Sequence, residues 1–383
     1  NYLSRNGKTL EALPVYPRFF QFNPLHSIFN NCPMADSSKI SLAFPGRRML
    51  GDKKICVLAG DVGGTKANLA IFEATADQVK LVKTSTYHSG QYPSVIKIIQ
   101  QFFQENPDYK PERISLGVAG PVFEGHAEIT NLPWIIDKKE ITEATGIQKI
   151  SLINDLEATA YGLAGMNEND FLVLHAGESG IQGNMAVLAP GTGLGEAGLF
   201  WDGEVHHPFA TEGGHADFSC RSTDDMELHN YLLKDFKVVS WESVIAGPAI
   251  FDIYNFLCKV KSRPENKQIS RAFKSEDPSA VISEAAIAGT DHVCIEAMKY
   301  FVRYLGRECC NLILKMKATG GLFLAGGIPP KILPLLKQPD FYDHLLDCDR
   351  MQDLVRKVPV KLLLNDKAPM IGAGWYGAYF LTV

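Results

Sequence analysis

Residues 57–65 have the sequence Val-Leu-Ala-Gly-Asp-Val-Gly-Gly-Thr, and residues 187–193 have the related sequence Val-Leu-Ala-Pro-Gly-Thr-Gly. Both copies begin with an apolar run, typical of a buried strand, and end in a turn rich in Gly and Thr. A second apolar run follows each turn, over residues 69–72 and 197–200. This weak internal repeat predicts two similar halves whose glycine turns face each other across a cleft.

Strand-like and helix-like segments alternate along the rest of the chain, which predicts an α/β protein. Helical spacing and apolar runs predict a helix-rich region over residues 224–314, with further helices at residues 94–104, 156–164 and 371–381. The predicted strands are residues 55–59, 69–72, 79–86, 114–118, 151–154, 185–189, 194–201, 321–325 and 360–364. The length of 383 residues allows about two domains of ~150 residues each.

The first 50 or so residues differ from the rest, because they are basic, rich in Pro, Asn and Ser, and without helical or strand periodicity. They lack the apolar segment of a secretory signal. Three interpretations stay open: a disordered tail, translated sequence upstream of a start at Met34 or Met49, and an organellar transit peptide. We assign residues 1–52 to an N-terminal extension that is either disordered or a targeting segment.

The composition is that of an ordinary globular protein, with 46% apolar and 21% charged residues, and excludes a fibrous or disordered chain. The 38 basic and 43 acidic residues give a formal net charge of −5, which argues against a nucleic-acid partner held through phosphate contacts. No apolar stretch approaches the ~18 residues of a membrane span, so we expect no membrane partner. The eight scattered cysteines favour reduced thiols in an intracellular protein over a disulfide framework or a zinc site.

The turn at residues 60–66, Gly-Asp-Val-Gly-Gly-Thr-Lys, has the composition of a phosphate-binding loop. Gly63 and Gly64 let the backbone approach a ligand, and successive N–H groups in such a turn form an anion-binding concavity. Thr65 adds a hydroxyl donor, and Asp61 suits Mg²⁺ or its water shell. A plain hairpin turn with a surface Asp is the alternative, and a second loop of the same kind makes that alternative less favourable.

The second loop, at residues 190–198, matches the dinucleotide pattern G-x-G-x-x-G at Gly193, Gly195 and Gly198. A dinucleotide-binding turn must open a helix, whereas the residues that follow here predict a strand and a turn. We therefore reject a nicotinamide site and predict a phosphate-binding hairpin. No Walker A sequence occurs, which excludes a P-loop kinase.

Asn154 and Asp155 stand at a predicted strand end with a helix behind them, where open α/β sheets bind their ligands. An Asp at this place can accept a proton from a hydroxyl that attacks a phosphoryl group. Asn154 offers a donor and an acceptor to a sugar hydroxyl, and it is also a favoured helix cap; both roles are compatible. Glu157 is interpreted as a helix-start charge.

The segment Glu212-Gly-Gly-His215 places two polar side chains on either side of a flexible bend, so that they can converge on one group of hydroxyls. Metal ligation by His215 with Cys220, His206 or His207 is the competing hypothesis, but a closed zinc site lacks ligands here. Glu242 opens an apolar helical stretch and is by default a capping residue. Asn131 lies in a loop.

Together these motifs resemble the bacterial-type glucokinase family, within the sugar kinase, heat-shock ATPase and actin superfamily. The resemblance runs from about Lys53 to the C-terminus. Its ordered motifs begin at Gly60, Val118, Thr130, Ile153, Pro190, Glu212, Glu242 and Leu324. The resemblance implies an α/β, two-domain sugar-kinase fold, a duplicated ribonuclease H-like architecture with an interdomain cleft. We predict a small α/β domain from residues 53–165 plus 365–383 and a large α/β domain from residues 166–364.

The resemblance also implies the role of each motif residue. Asp155 would be the general base on the glucose 6-hydroxyl, and Asp61 would act near Mg²⁺, through water. The sugar would be bound by Asn131, Asn154, Asp155, Glu212, His215 and Glu242. ATP would be bound by Asp61, Gly63, Gly64, Thr65, Gly191, Thr192, Gly193, Gly326 and Gly327.

The implied activity is ATP-dependent phosphorylation of glucose to glucose 6-phosphate, the first step of glycolysis, by a cytoplasmic homodimer. A kinase for another hexose or an N-acetylated sugar and a non-catalytic sugar sensor stay open as alternatives. So does the phosphoryl donor, since ADP, polyphosphate or pyrophosphate would need no obvious change in the loops. Organellar targeting by residues 1–50 also stays open.

Overall fold

The computed structural model describes residues 40–129, 132–178 and 180–380, which belong to one compact unit. Its strands are β1 (Ile55–Val62), β2 (Lys66–Ala74), β3 (Val79–His88), β4 (Arg113–Val118), β5 (Val122–Phe123), β6 (His126–Glu128), β7 (Ile135–Asp137), β8 (Lys149–Asn154), β9 (Phe171–His175), β10 (Met185–Pro190), β11 (Leu194–Trp201), β12 (His206–Thr211), β13 (Gly321–Leu324) and β14 (Val360–Leu363).

The helices surround these strands and are concentrated in the second half of the chain. They are α1 (Val95–Glu105), α2 (Lys138–Thr145), α3 (Asp155–Gly162), α4 (Thr223–Leu232), α5 (Glu242–Ile245), α6 (Gly247–Lys259), α7 (Lys267–Ala272), α8 (Pro278–Ile287), α9 (His292–Met316), α10 (Leu333–Leu336), α11 (Pro339–Leu345), α12 (Gln352–Arg356) and α13 (Ala368–Tyr379).

The first sheet has five strands in the order β3-β2-β1-β4-β8. The first three strands form an antiparallel meander, while β1, β4 and β8 are parallel. The register places Val62, Val118 and Asn154 side by side at the carboxyl ends of the parallel strands. Residues that follow these strands are therefore brought to one edge of the sheet, where ligands of open α/β sheets bind.

The second sheet has six strands in the order β12-β11-β10-β13-β14-β9. It repeats the arrangement of the first sheet, because β10, β11 and β12 form an antiparallel meander and β10, β13 and β14 are parallel. Strands β1 and β10, each with the turn that follows it, contain the two repeated sequences at residues 57–65 and 187–193. A small third sheet, in the order β5-β6-β7, follows β4.

Helix α13 returns to the first half of the chain and packs against α3 and against strands β1 and β4. Small residues make this close approach possible. A Cβ added at Gly372 would overlap the backbone oxygen of Ala158, and one at Gly162 would overlap the backbone oxygen of Ala368. Because α3 begins at Asp155, this tight contact also fixes the helix that carries the predicted catalytic base.

Residues 40–50 pack against both sheets, although the sequence places everything before Lys53 in an extension. Leu42 forms a parallel bridge with His206 at the edge of β12. Phe44 lies 5.7 Å from the ring of Tyr161 in α3, and the Nε of Arg47 donates to the Ala76 carbonyl at 2.6 Å. The packed body therefore begins ahead of the predicted boundary, because these apolar and aromatic side chains find partners that are distant in sequence.

The predicted strands and the three discrete helices are present, with ends that differ by a few residues. Helix α13 begins at Ala368 rather than residue 371, since a proline at its first turn is compatible with a helix start. The strands β5–β7, β9 and β12 and the helices α2, α10, α11 and α12 are not predicted, because segments of eight residues or fewer give little periodicity to detect. Within the described residues, no helix has both the length and the apolar character needed to cross a membrane.

Candidate functional site

Asp61 lies near the end of β1, beside the turn that joins β1 to β2. The hairpin register pairs it with Asn68, whose Nδ2 donates to Asp61 Oδ2 at 3.1 Å. Thr86 on β3 in turn donates to Asn68 Oδ1 at 2.9 Å and fixes the orientation of the amide. Burial raises the pKa of Asp61, and the neighbouring Asp366 adds to the effect. The carboxyl group is therefore held in a poorly solvated place where a cation would stabilise its charge.

Residues 63–65 form the turn of the first hairpin. The turn is closed by a hydrogen bond from Gly63 N to Lys66 O at 2.9 Å. Ser89 supports it from outside, with its hydroxyl donating to Gly63 O at 2.8 Å and its backbone N–H donating to Thr65 O at 3.0 Å. Thr65 is exposed, so its hydroxyl is available to an incoming ligand.

Asn154 caps helix α3, as its alternative role in the sequence predicts. Its Oδ1 accepts from the backbone N–H groups of Leu156 at 2.9 Å and Glu157 at 3.3 Å. Its Nδ2 donates to the carbonyl of Gly120 at 3.2 Å. An amide has two N–H donors, so one donor stays available for a sugar hydroxyl while the other contacts hold the side chain rigid.

Asp155 is the first residue of α3, and its Oδ1 accepts from Leu156 N at 2.9 Å. Burial, followed by the nearby carboxylates of Asp61 and Glu212, raises the pKa of Asp155 to about 7. These electrostatic neighbours come from β1 and from the segment after β12, which shows that the structure gathers the three predicted acids. A carboxyl group with this pKa can both accept and release a proton near neutral pH.

The segment 212–215 forms a single 3₁₀ turn over Gly213–His215, directly after β12. Glu212 and His215 are both exposed, while Gly214 is buried against β11. A Cβ added at Gly214 would overlap the carbonyl of Leu194. The glycines therefore serve close packing beneath the turn, which leaves the two polar side chains on its open side.

Glu242 connects this turn to the second glycine loop. Its Oε2 accepts from Leu194 N at 2.8 Å, and its Oε1 lies 3.9 Å from His215 Nδ1. A Cβ added at Gly193 would lie 2.5 Å from Oε2, so the carboxylate occupies the space beside this glycine. Glu242 stands in the first turn of α5. Its carboxylate does more than place a negative charge at the helix start, because it contacts His215 of the predicted sugar site and Leu194 beside the predicted phosphate site.

The second glycine loop joins β10 to β11 and is closed by a hydrogen bond from Gly191 N to Gly193 O at 2.8 Å. Gly326 has φ +82°, a conformation that favours glycine, and a Cβ there would lie 2.5 Å from the carbonyl of Pro190. A Cβ added at Gly191 or Gly327 would meet nothing within 4 Å. Gly326 thus lies against the second loop, and the backbone at Gly191 and Gly327 is open to a ligand.

The contacts of Glu242 lead to a testable prediction. On the activity that the family resemblance implies, replacing Glu242 by Gln should raise the KM for glucose about tenfold. The change removes the charge beside His215 and weakens the hydrogen bond from Leu194 N, and hydrogen bonds to charged groups are worth about 1.5–3 kcal/mol. Glu242→Ala should raise the KM for both glucose and ATP, since it also frees the Leu194 N–H at the second loop. Steady-state kinetics with both substrates varied measures this, with exposed Glu143→Gln as the control. Unchanged constants in both variants would remove Glu242 from the site.

The supporting residues Asn68, Gly120 and Leu194 are not predicted from the sequence. The position of Asn68 is predictable in principle, because a short hairpin turn between β1 and β2 pairs it with Asp61. Glu157 occupies the first turn of α3, as predicted, but burial raises its pKa to about 7, which a helix-start charge does not suggest. Asn131 lies outside the described residues, so its assignment to the sugar stays a prediction.

A model of the glucokinase family matches residues 58–379 of this chain. A glucokinase from Nostoc sp. is 37% identical over 332 residues, which cover 83% of this chain and 97% of the relative. These matches confirm the family resemblance that the ordered motifs carry.

Solved structures agree with this result. The crystal structure of a glucokinase from an Antarctic psychrotroph superposes with a TM-score of 0.72 at 31% identity, covering 84% of this chain and 98% of the other. A ROK family glucokinase from Streptomyces griseus, solved in complex with glucose and AMPPNP, has a TM-score of 0.57 at 18% identity and covers 84% and 98%. The latter likeness concerns the fold alone. Together they confirm the predicted α/β sugar-kinase fold.

Proposed function

Because the chain belongs to the glucokinase family, we propose that it transfers the γ-phosphoryl group of ATP to the 6-hydroxyl of glucose. The observation that carries the proposal is the place of Asp155, a half-buried carboxyl group with a pKa of about 7 at the edge shared by the strand ends. The 6-hydroxyl oxygen forms a bond to the γ-phosphorus as the bond to the β,γ-bridging oxygen breaks. Asp155 takes the hydroxyl proton, and ADP leaves.

The sugar would be held by the polar side chains gathered around Asp155. The exposed Glu212 and His215 are available to hydroxyl groups, and Asn154 has one free N–H donor. Glu242 lies next to His215 and to the second glycine loop, so its carboxylate would be close to both the sugar and the ATP phosphates. The complete proposed set is Asn131, Asn154, Asp155, Glu212, His215 and Glu242.

The ATP phosphates would lie between the two glycine turns. Phosphoryl transfer requires little covalent chemistry from the protein, so backbone N–H groups and threonine hydroxyls supply much of the stabilisation. We assign this role to Gly63, Gly64 and Thr65 on one side and to Gly191, Thr192 and Gly193 on the other. Gly326 and Gly327, whose backbone is exposed beside the second loop, would lie against the adenosine.

Asp61 fits a role beside Mg²⁺, because burial disfavours its charge and a cation would compensate it. In the described ranges, no group of three or more His, Cys, Asp or Glu side chains could hold a metal ion by itself. That agrees with Mg²⁺, which is held mainly by substrate phosphates and water with one or two carboxylates. When bound, Mg²⁺ neutralises charge on the transferred phosphoryl group.

The family resemblance also supports further parts of the proposal. We propose two domains, residues 53–165 plus 365–383 and residues 166–364, that close over the sugar and exclude water. A homodimer formed through the helix-rich large domain, a cytoplasmic location and a place at the first step of glycolysis complete it.

A matrix of donors and sugars tests the proposed function. Purified protein is assayed with ATP, ADP, polyphosphate and pyrophosphate against glucose, fructose, mannose and an N-acetylated hexosamine. We expect the highest kcat/KM for ATP with glucose. A strong preference for another sugar would contradict glucose as the acceptor, and a strong preference for another donor would contradict ATP. Glucose binding without turnover on any donor would indicate a non-catalytic sugar sensor.

A further inference from the structure

Two fully buried carboxyl groups lie beneath the 212–215 turn and have no part in the proposed reaction. Glu196 on β11 is 1% exposed and Glu308 on α9 is 0% exposed. Burying one carboxylate without a partner is costly, and burying two of them next to each other is costlier. Their position therefore calls for a physical role.

Glu196 contacts the turn at Gly213. A Cβ added at Gly213 would overlap Oε2 of Glu196, so the carboxyl group fills the space that a side chain would otherwise occupy. The backbone around this contact is tied together by Thr211, whose hydroxyl donates to Glu196 O at 3.1 Å and accepts from Gly213 N at 3.2 Å. Residues 194–196 of β11 thus pack directly against the backbone of the 212–215 turn.

Glu308 of helix α9 is the carboxyl neighbour of Glu196. Its carboxylate accepts from Asn311 Nδ2 at 2.7 Å and from Lys315 Nζ at 3.2 Å. These contacts compensate a negative charge on Glu308, whereas the carboxyl of Glu196 interacts with Glu308 itself, and its buried Oε1 accepts no hydrogen bond within the described residues. The arrangement assigns the negative charge of the pair to Glu308 and a proton to Glu196.

The electrostatics agree with this assignment. Burial, followed by the charge of Glu308, raises the pKa of Glu196 to about 8. Burial also raises the pKa of Glu308, while Asn311 and Lys315 act in the opposite direction. The other titratable groups next to the pair are Cys309 and Lys315 of α9.

We propose that Glu196 is a positioning residue for the sugar site, which braces the 212–215 turn against helix α9 so that Glu212 and His215 meet the sugar. The inference rests on the proposed function, because that proposal assigns the two side chains to glucose. Glu196 acts through the turn and contacts no substrate itself.

A pH dependence follows from the same geometry. Below pH 8 the neutral carboxyl of Glu196 can lie against Glu308 without repulsion. As pH rises through about 8, Glu196 loses its proton and two negative charges face each other in a buried space. Repulsion then moves the turn, so the KM for glucose should rise on the alkaline side while kcat changes less.

Two substitutions separate these effects. Glu196→Ala removes the brace and should raise the KM for glucose about tenfold at every pH, because small displacements of binding groups are costly. Glu196→Gln keeps the shape of the side chain but cannot ionise. The KM of this variant for glucose should stay within about twofold of wild type at pH 7 and should not rise at alkaline pH. Exposed Glu204→Gln is the matched control and should behave as wild type.

A double variant tests the contact directly. Gly213→Ala alone should raise the KM for glucose, since its Cβ overlaps Glu196. Adding Glu196→Ala should lower that KM again, a non-additivity expected only if the two residues share one space. Glucose binding measured by calorimetry, alongside kcat and KM over pH 6–9.5, provides a readout that does not depend on turnover.

The outcomes distinguish the inference from the proposed function. An active wild type with unchanged KM and pH profile in both Glu196 variants, and no recovery in the double variant, would overturn the role of Glu196 and leave the function standing. Loss of stability with an unaltered KM would also overturn it. A wild type that neither binds nor phosphorylates glucose would overturn both.

Discussion

Replacing Asp155 by Asn should lower kcat for glucose phosphorylation by about 10²–10⁴, the usual contribution of a general base. The KM for glucose should change by less than about tenfold, because Asn keeps the oxygen that accepts from Leu156 N and can still hydrogen-bond to a hydroxyl. The change therefore separates proton transfer from sugar binding. A coupled assay for ADP release measures kcat, and glucose calorimetry measures binding.

The pH profile of the wild type gives an independent check. Because Asp155 must be ionised to accept a proton and its pKa lies at about 7, kcat/KM should rise as pH increases through 7. The exposed Asp108→Asn is the control and should keep both the rate and the profile. Turnover of Asp155→Asn within about threefold of wild type would show that another group acts as the base.

Most of the architecture could be predicted because its signals are local. A buried parallel strand is a continuous apolar run, and the runs at residues 114–118 and 151–154 have that form. Glycine loops at residues 60–64 and 191–195 mark the places where a strand must turn sharply. The rejection of a dinucleotide-binding turn is also confirmed, since residues 194–201 form a strand of a hairpin and no helix.

The contacts that complete the site depend on residues far apart in sequence, and periodicity carries no information about them. Glu196 and Glu308 belong to a strand and a helix whose pairing only the fold determines. The same is true of Glu242 and Leu194, whose hydrogen bond joins the predicted sugar and phosphate sites. Local patterns identify the side chains that are chemically suited to catalysis or binding, while long-range packing determines which of them are held in a fixed orientation.

The packing of α13 on α3 leads to the largest expected effect on stability. Gly372→Ala should lower the free energy of unfolding by about 1–3 kcal/mol or more, because its Cβ would overlap the backbone oxygen of Ala158 and crowd the backbone N of Gly162. In a helix interior the same change normally stabilises by about 0.5–1 kcal/mol, so the predicted sign is itself diagnostic. A flexible side chain could move aside, but the backbone of α3 can yield only by moving the helix that begins at Asp155.

Chemical denaturation measures the change, and Gly90→Ala is the control, since a Cβ there meets nothing within 4 Å. Equal stabilities for the two variants would mean that the α3–α13 contact is looser than the small residues at its centre indicate.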